Sequence, residues 1–418
     1  LLRSQETRRM KRKQKRMDKP KSRKRIRRYY GTAKRFIKVM IAVVAPKLMK
    51  SLHATVEPYT PKHETFIIIG NHTDIYDPGY QMVALNRYIR FVAADFLLRL
   101  NPIAKFLLGT LEGVIVKERN KSSDMLVEEI LENVKAGIPV GLHAEGMVTT
   151  NGETGYISPN TGKLVKDSGV ALITFRTVGG YLRKPRWAHV GRNGPVHGKV
   201  VNEYSPEELS KYSVDEINEI IKRDIYVNAY EEQRKNPHTY SGEKLAEYAE
   251  RLLYVCPKCH RVDTLHSKDD EFTCECGYTL TQGEDAFWHS DKNEVIFDNV
   301  LDWDKWQRKE WKNILLSADD GVILSEEEQT VSTVINNEPH TLSEHTTINL
   351  YKDRFELVEE ENTIVLKLDK LKRVQNASSQ DLVIIDEDST YYLLSSKRPR
   401  SSDKYVAAWY YLTGRDYK

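Results

Sequence analysis

A chain of 418 residues exceeds one ordinary hydrophobic core, so its length excludes a single small domain and predicts two or three. Its 40% hydrophobic and 30% charged residues describe a globular protein with a well-solvated surface. The formal net charge of +4 hides an asymmetry: residues 1–28 hold 15 Lys and Arg against Glu6 and Asp18, so this stretch carries +13 and the remainder about −9.

A tail of that charge cannot bury a core, and residues 1–34 are expected to be disordered or to form a helix only on a partner. Nucleic acid and an anionic membrane surface both suit it. The next residues discriminate. Phe36-Ile37-Lys38-Val39-Met40-Ile41-Ala42-Val43-Val44-Ala45 falls far short of the roughly 20 apolar residues that a spanning helix needs, but suits a helix lying among lipid headgroups. The same residues would also serve as a first helix packed on the domain core, and two faces of one helix can do both. No secretory signal is expected, because the apolar stretch follows too long a basic run and has no clear small-residue cleavage site.

The first strand is predicted at 65–69. It ends at Gly70 and is followed at once by Asn71-His72-Thr73-Asp74-Ile75-Tyr76-Asp77. Side chains at strand ends of α/β proteins are held rigidly yet face a crevice. A His there can accept the proton of a substrate hydroxyl, and an Asp a little over one helical turn later can fix its tautomer and stabilise the cation that forms. His72 and Asp77 are therefore catalytic candidates; the plain alternative is a helix-capping turn with a surface Asp. A helix is predicted from Gly79 to Asn86 and a strand at 90–94. Next comes an unusually apolar segment, 96–108, that is either core helix or a wall facing lipid. Gly113-Val114-Ile115-Val116 reads as a strand delivering Lys117 and Arg119. Arg has a planar fork that suits bidentate phosphate binding, although a solvated Lys-Glu-Arg-Asn cluster is also an ordinary strand exit. A helix at 124–136, stopped by Gly137, leads to a strand at 139–143 whose end delivers Glu145-Gly146. That carboxylate either orients substrate hydroxyls or caps a turn. Strand, helix and strand with polar residues at each strand's C-terminal end predict an α/β fold that binds ligands at one sheet edge.

The stretch from Asn71-His72 to Asp77 resembles the His-x4-Asp motif of the glycerolipid (lysophosphatidate, or 1-acylglycerol-3-phosphate) acyltransferase family, whose members usually carry Ser where Asp74 stands. Gly113 with Arg119 six residues on is similar to that family's second motif, in which the Arg contacts the substrate phosphate. His143-Ala144-Glu145-Gly146 resembles Phe-Pro-Glu-Gly, without its Phe, its Pro or the Arg expected at Val148. Val170-Ala171-Leu172-Ile173-Thr174-Phe175 occupies the place of the apolar fourth motif, and the likeness covers roughly residues 35–235.

The resemblance implies a mostly parallel or mixed sheet. It implies transfer of a fatty acyl group from acyl-CoA or acyl carrier protein to the hydroxyl of a lysophospholipid, 1-acylglycerol-3-phosphate first, in phospholipid synthesis. The enzyme would be peripheral or monotopic at the cytoplasmic face of a membrane. His72 would be the base and Asp77 its orienting partner, with backbone N–H groups near the strand ends stabilising the oxyanion. Gly113, Arg119, Glu145 and Gly146 would bind substrate, and the 96–108 segment would wall the acyl chain. With no Arg at 148, Lys163 after an Asn160-Thr161-Gly162 turn, Lys166 or Arg176 is expected to compensate. Residues 179–198 read as an irregular basic connection, and 209–230 as helices closing a domain that spans 35–250.

All four cysteines fall within 21 residues, as Cys256-Pro257-Lys258-Cys259 and Cys274-Glu275-Cys276. In a reduced cell that is a metal pattern: two short chelating turns converge four thiolates on one tetrahedral site, with structural Zn²⁺ the default and iron the alternative. His260 or His266 is a substitute ligand, and disulfide pairing is the plain alternative. A zinc-ribbon-like module is expected over 251–285. Asp263, Asp269, Asp270, Glu271, Glu275, Glu284 and Asp285 around it would repel a phosphate backbone, which argues against nucleic acid. From 286 to 418 the pattern alternates as strands do, with strands predicted at 345–350, 354–357, 363–368, 382–385 and 390–394 and a closing helix at 404–412. An antiparallel β domain closed by a helix is similar in pattern to pleckstrin-homology and GRAM domains and reads as a docking module for membrane or protein. Two rivals stand beside the acyltransferase. A nucleic-acid binder using the basic tail and ribbon leaves His72 and Asp77 unexplained, whereas a non-catalytic membrane adaptor draws support from the missing Arg.

Overall fold

The run Phe66-Ile67-Ile68-Ile69 is wholly buried because both of its faces are covered. Ile67 and Ile69 pack with Ile130, Val165, Ile217 and Ile221 on one side of a sheet. Phe66 and Ile68 pack with Tyr80, Ala84, Leu85 and Phe175 on the other. The computed structural model describes residues 23–94, 114–117, 123–335, 338–359, 362–378, 380–415 and 417. Gly113, Arg119 and the 96–108 segment therefore lie outside the described residues.

Helices α1 (Arg23–Val43) and α2 (Ala45–Ser51) lead into β1 (Ala54–Val56), β2 (Phe66–Gly70), α3 (Asp77–Leu85), β3 (Arg90–Ala94), β4 (Val114–Lys117), α4 (Ser123–Lys135), β5 (Val140–His143), α5 (Asn160–Ser168), β6 (Ala171–Val178), β7 (Val196–Tyr204) and α6 (Val214–Ile225). The sheet order is β1-β7-β6-β2-β5-β3-β4. β6, β2, β5, β3 and β4 are parallel, while β7 runs antiparallel to β6 and pairs in parallel with β1, so the sheet is mixed. The C-terminal ends of β2 and β5 thus lie side by side, with Gly70 opposite His143.

The helix α1 runs from Arg23 within the basic stretch expected to be disordered or helical on a partner, with no Pro between Pro20 and Pro46 to stop it, and residues 1–22 lie outside the described residues. Two readings change. Asn160, Thr161 and Gly162 open α5 rather than forming a turn. The connection after β6 is not wholly irregular, because Gly180–Arg183 is a short helix and β7 starts at Val196. On α1 and α2, Phe36, Val39, Val43, Val44 and Leu48 are exposed. No helix among the described residues is long and apolar enough to cross a membrane.

A second, antiparallel sheet follows: β8 (Leu265–Lys268), β9 (Glu271–Cys274), β10 (Thr279–Gln282) and β11 (Trp288–His289). Then comes α7 (Val300–Ser317), a helix absent from the strand pattern expected here. Its first half, Val300, Leu301 and Trp303, joins the core around Phe272, Trp288 and Tyr181. Its second half, Trp311 and Leu315, joins the core of the last domain. That domain is a seven-stranded antiparallel sheet of β12 (Leu324–Ile335), β13 (Glu338–Leu350), β14 (Arg354–Val358), β15 (Thr363–Lys367), β16 (Arg373–Asn376), β17 (Leu382–Ile385) and β18 (Tyr391–Ser396). Its order is β15-β14-β13-β12-β18-β17-β16, and α8 (Asp403–Leu412) closes it. β12 and β16 were not foreseen in the sequence.

Candidate active site

The site is built where β2 ends. Gly70 is required there, since a Cβ would lie 2.6 Å from Gln81 Nε2 and 3.3 Å from the Phe175 carbonyl oxygen. Asn71, also buried, ties the turn to β6: its amide donates to Thr177 O at 2.8 Å and its Oδ1 accepts from Thr177 N–H at 2.8 Å. His72 and Asp77 then meet, Nδ1 to Oδ2, at 2.9 Å. Nδ1 donating to a carboxylate leaves the Nε2 lone pair free to take a proton. Asp77 is fully buried at the start of α3. It also accepts from Thr73 N–H at 2.6 Å, Thr73 Oγ1 at 3.0 Å and Asp74 N–H at 2.8 Å. Burial pushes its pKa up, but the His72 hydrogen bond, the nearby imidazoles and the Asp74 N–H outweigh it and hold the carboxyl below its usual range. This is an orienting pair rather than a helix cap: Asp77 accepts from residues ahead of α3, no side chain caps the helix, and the Asp is not on the surface.

Glu145 braces the same loop from β5. Its Oε1 accepts His72 N–H at 2.7 Å and its Oε2 accepts Gly155 N–H at 2.6 Å. Burial raises its pKa to about 7, against those two N–H bonds. Gly146 follows at φ +75°, where an L side chain would be strained. Of the backbone N–H groups near the strand ends, those of His72, Thr73 and Asp74 are taken by Glu145 and Asp77 and are not free to meet an oxyanion.

Two residues entered the site without being sequence candidates. His143, in place of the family's Phe, stacks on His72 with ring centroids 4.2 Å apart and planes 15° apart, and its Nε2 lies 3.2 Å from Gln81 Nε2. Burial, then the neighbouring His72, lowers its pKa to about 3, so it is neutral. Arg183 forms an ion pair with the buried Asp74, and its guanidinium lies 5.6 Å from the Tyr76 ring centroid. The signal for His143 was an aromatic position kept aromatic; that for Arg183 was an Asp placed where a neutral Ser is usual. His72, Asp77 and His143 bring three ligand atoms within 4.8 Å of one another. The stacked rings nevertheless place their in-plane lone pairs in nearly parallel planes that do not converge on one ion.

A small cleft beside His72 is lined by Thr73, Glu145, Gly152, Thr177 and Tyr181. Among the described cations expected to serve it, Lys163, Lys166 and Arg176 do not line it. Arg176 donates to the carbonyls of Asp224 (2.9 and 2.7 Å) and Arg223 (3.2 Å) at the end of α6, where the last carbonyls of a helix lack partners and attract cations. Lys163 is exposed on α5 and pairs with Asp167 at 2.5 Å, while Lys166 bonds the Tyr212 carbonyl.

Residues 52–178, which contain His72, Asp77 and Glu145, match the protein family described as Acyltransferase. Over that stretch the chain is similar to acyltransferase domains. A crystal structure of the 1-acyl-sn-glycerophosphate acyltransferase PlsC from Thermotoga maritima is 20% identical, with 48% of this chain and 81% of that one covered and a TM-score of 0.38. The N-terminal PH domain of Vps36 is 15% identical over 22% of this chain and 80% of that one, with a TM-score of 0.19. No curated protein matches the chain. The family match stops well before the cysteines.

Beyond the acyltransferase domain the four cysteines form one cluster, their sulfurs all within 4.8 Å of one another. Cys256 and Cys276 Sγ are 3.8 Å apart and Cys259 and Cys274 Sγ 3.7 Å. A tetrahedral ion with Zn–S near 2.3 Å needs sulfurs about 3.8 Å apart, so the donor set fits such an ion and not a pair of disulfides. The histidines do not replace a thiolate: His260 Nδ1 bonds Glu310 at 2.7 Å and His266 lies 3.7 Å from Glu275.

Proposed function

We propose that the acyltransferase domain moves a fatty acyl group from acyl-CoA or acyl carrier protein to the hydroxyl of a lysophospholipid, with 1-acylglycerol-3-phosphate the leading acceptor. His72 Nε2 takes the hydroxyl proton as that oxygen attacks the thioester carbonyl. The tetrahedral intermediate collapses with loss of the C–S bond, and the imidazolium returns the proton to the departing thiolate. Asp77 keeps Nδ1 protonated and stabilises the imidazolium, while Glu145 and Asn71 hold the loop. The observation that carries this reading is the 2.9 Å contact between His72 and an Asp77 whose carboxylate is buried and otherwise fully hydrogen-bonded. Incubating the full chain with either donor and a panel of lysolipids tests it. Transfer is expected in wild type and lost in His72→Ala; equal transfer by both proteins would remove His72 from the chemistry.

The membrane surface supplies the acceptor. The exposed Val39, Val43, Val44 and Leu48 support insertion of α1 and α2 among headgroups, beside the basic N-terminal stretch. Changing these four to Ser should remove vesicle binding that survives high salt, whereas removing residues 1–22 should weaken binding mainly at low salt. Cys256, Cys259, Cys274 and Cys276 hold a structural Zn²⁺ that stabilises a small core, and the C-terminal β domain, PH-like in its pattern, serves as a docking module.

A further inference from the structure

Away from the His72 cleft, a second cleft opens where four parts of the chain meet. Arg186 and Trp187 come from the connection between β6 and β7, Arg251 from the turn before the first cysteine, and Arg308 from α7. Asn376, Ser378 and Asp403 come from the last domain. It encloses about 360 Å³ out to its open mouth, room for a phosphate group but not for a folded partner.

The charges in it do not balance. Arg308 is satisfied by Asp304 at 3.0 Å and Asp403 at 3.1 Å. Asp403 is then used up, because its other oxygen accepts from Asn376 Nδ2 at 2.9 Å and Tyr417 OH at 2.5 Å. Arg251 has its guanidinium 4.1 Å from the Tyr248 ring centroid, and that guanidinium's only hydrogen bond among the described residues runs from Nε to the neutral Gln380 Oε1 at 2.8 Å. The half-buried Arg186 guanidinium has no hydrogen-bond or ion-pair partner among the described residues. Burial lowers the pKa of both Arg186 and Arg251, opposed by Asp403 for Arg186 and by Tyr248, Glu250 and Asp381 for Arg251. The carboxylates act from a distance, and neither guanidinium hydrogen-bonds one among the described residues; a half-buried cation without a hydrogen-bonded counter-charge is costly, and planar guanidinium forks match tetrahedral oxyanions.

We infer that this cleft is a phosphate-binding site, with Arg186 and Arg251 as the anion's main ligands. Its wall is continuous with the candidate active site. The Thr150 carbonyl accepts from Tyr181 OH at 3.3 Å, and Tyr181 and Gly152 line the His72 cleft. Asn151 bonds Asp304 at 2.8 Å, and Asp304 holds Arg308. A bound phosphate therefore rests against the loop that shapes the acyl-transfer cleft.

Calorimetric titration of the full chain with inorganic phosphate, at constant ionic strength in chloride, tests the inference without relying on activity. Saturable binding is expected, weakened at least about tenfold by Arg186→Gln and by Arg251→Gln, and less by Arg186→Lys. Circular dichroism checks each variant, and if Arg186→Gln does not fold, Arg251→Gln carries the comparison. Absence of saturable binding by wild type, or equal binding by the Gln variants, would overturn the site. Competition identifies the source. Displacement by coenzyme A but not by phosphatidate vesicles would assign the phosphate to the acyl donor; the reverse would assign it to a lipid headgroup.

Discussion

The His72 loop and the cysteine cluster are both tight constellations, but they are held by different means. Around His72 every restraint is internal: Asp77 accepts four hydrogen bonds, Glu145 two, and Asn71 makes a reciprocal pair with Thr177. The geometry there is fixed before any ligand arrives, as catalysis of proton transfer demands. Around Cys256 four sulfurs lie at coordination spacing with only weak hydrogen bonds among them, such as Thr264 Oγ1 to Cys274 Sγ at 3.2 Å. One centre is closed by hydrogen bonds among its own side chains, and the other has the sulfur spacing of an ion site, which zinc binding as proposed would complete.

The largest expected effect follows from that dependence. Chelation, or Cys256→Ser with Cys259→Ser, should remove about one Zn²⁺ per chain and melt β8 to β11, because the sheet is too small to hold a core unaided. Trp303 is fully buried against Phe272 and Trp288, so its fluorescence should shift to the red as the module opens. Elemental analysis finding neither zinc nor iron, with an unchanged emission spectrum after chelation, would break the contrast.

Next in size is His72→Ala. A general base contributes about 10²- to 10⁴-fold, and the side chain adds little to the fold beyond its bond to Asp77, so turnover should fall by that factor with the melting temperature nearly unchanged. Asp77 should behave differently because it serves both chemistry and structure. Asp77→Asn with its amide oxygen in the place of Oδ2 keeps the acceptor that Thr73 N–H, Asp74 N–H and His72 Nδ1 share, but it removes the negative charge that stabilises the imidazolium, and activity should fall by about 10²-fold or more. Asp77→Ala leaves two buried N–H groups unsatisfied and should cost about 2–4 kcal/mol of stability in addition. Equal stability of the two variants would mean that the loop is held elsewhere.

Much of the first centre was legible because it is local in sequence. An apolar run, a Gly, and a His and Asp with four residues between them imply a strand end with one turn after it, and that turn is where Asp77 accepts its bonds. Glu145 is legible as a residue but not as a brace, since its partner His72 lies across the β2–β5 pairing and Gly155 ten residues further along its own loop. Lys163 stands out in the sequence for its charge after Asn160-Thr161-Gly162 and Arg176 for its charge, but sequence cannot tell a substrate contact from an ion pair with Asp167 or a helix-end contact to carbonyls. The helix α7 was legible and misread: Val300, Asp304, Gln307, Trp311 and Leu315 are buried at helical spacing, but Asp and Gln on that stripe hid the periodicity. Asp304 is buried there because Arg308 and Asn151 partner it, which is tertiary information.

The smallest effect sharpens the comparison most, because it asks whether the His72 loop is as self-sufficient as it looks. Glu145 has its pKa raised from 4.5 to about 7, chiefly by burial. Between those values the folded protein keeps a proton that the unfolded chain releases. Stability from this group is thus fully present below pH 4.5 and falls as pH rises to about 7, by on the order of 2–3 kcal/mol. Glu145→Gln cannot ionise, so its stability should be flatter across that window and the difference between the two proteins isolates this one carboxyl. Activity should run the other way. The carboxylate is the stronger acceptor for His72 and Gly155 N–H, so wild-type transfer should rise as Glu145 ionises through pH 7, and the rise should be smaller in Glu145→Gln. Identical pH profiles of stability in the two proteins would mean that Glu145 stays ionised throughout, and that the two N–H bonds offset its burial completely.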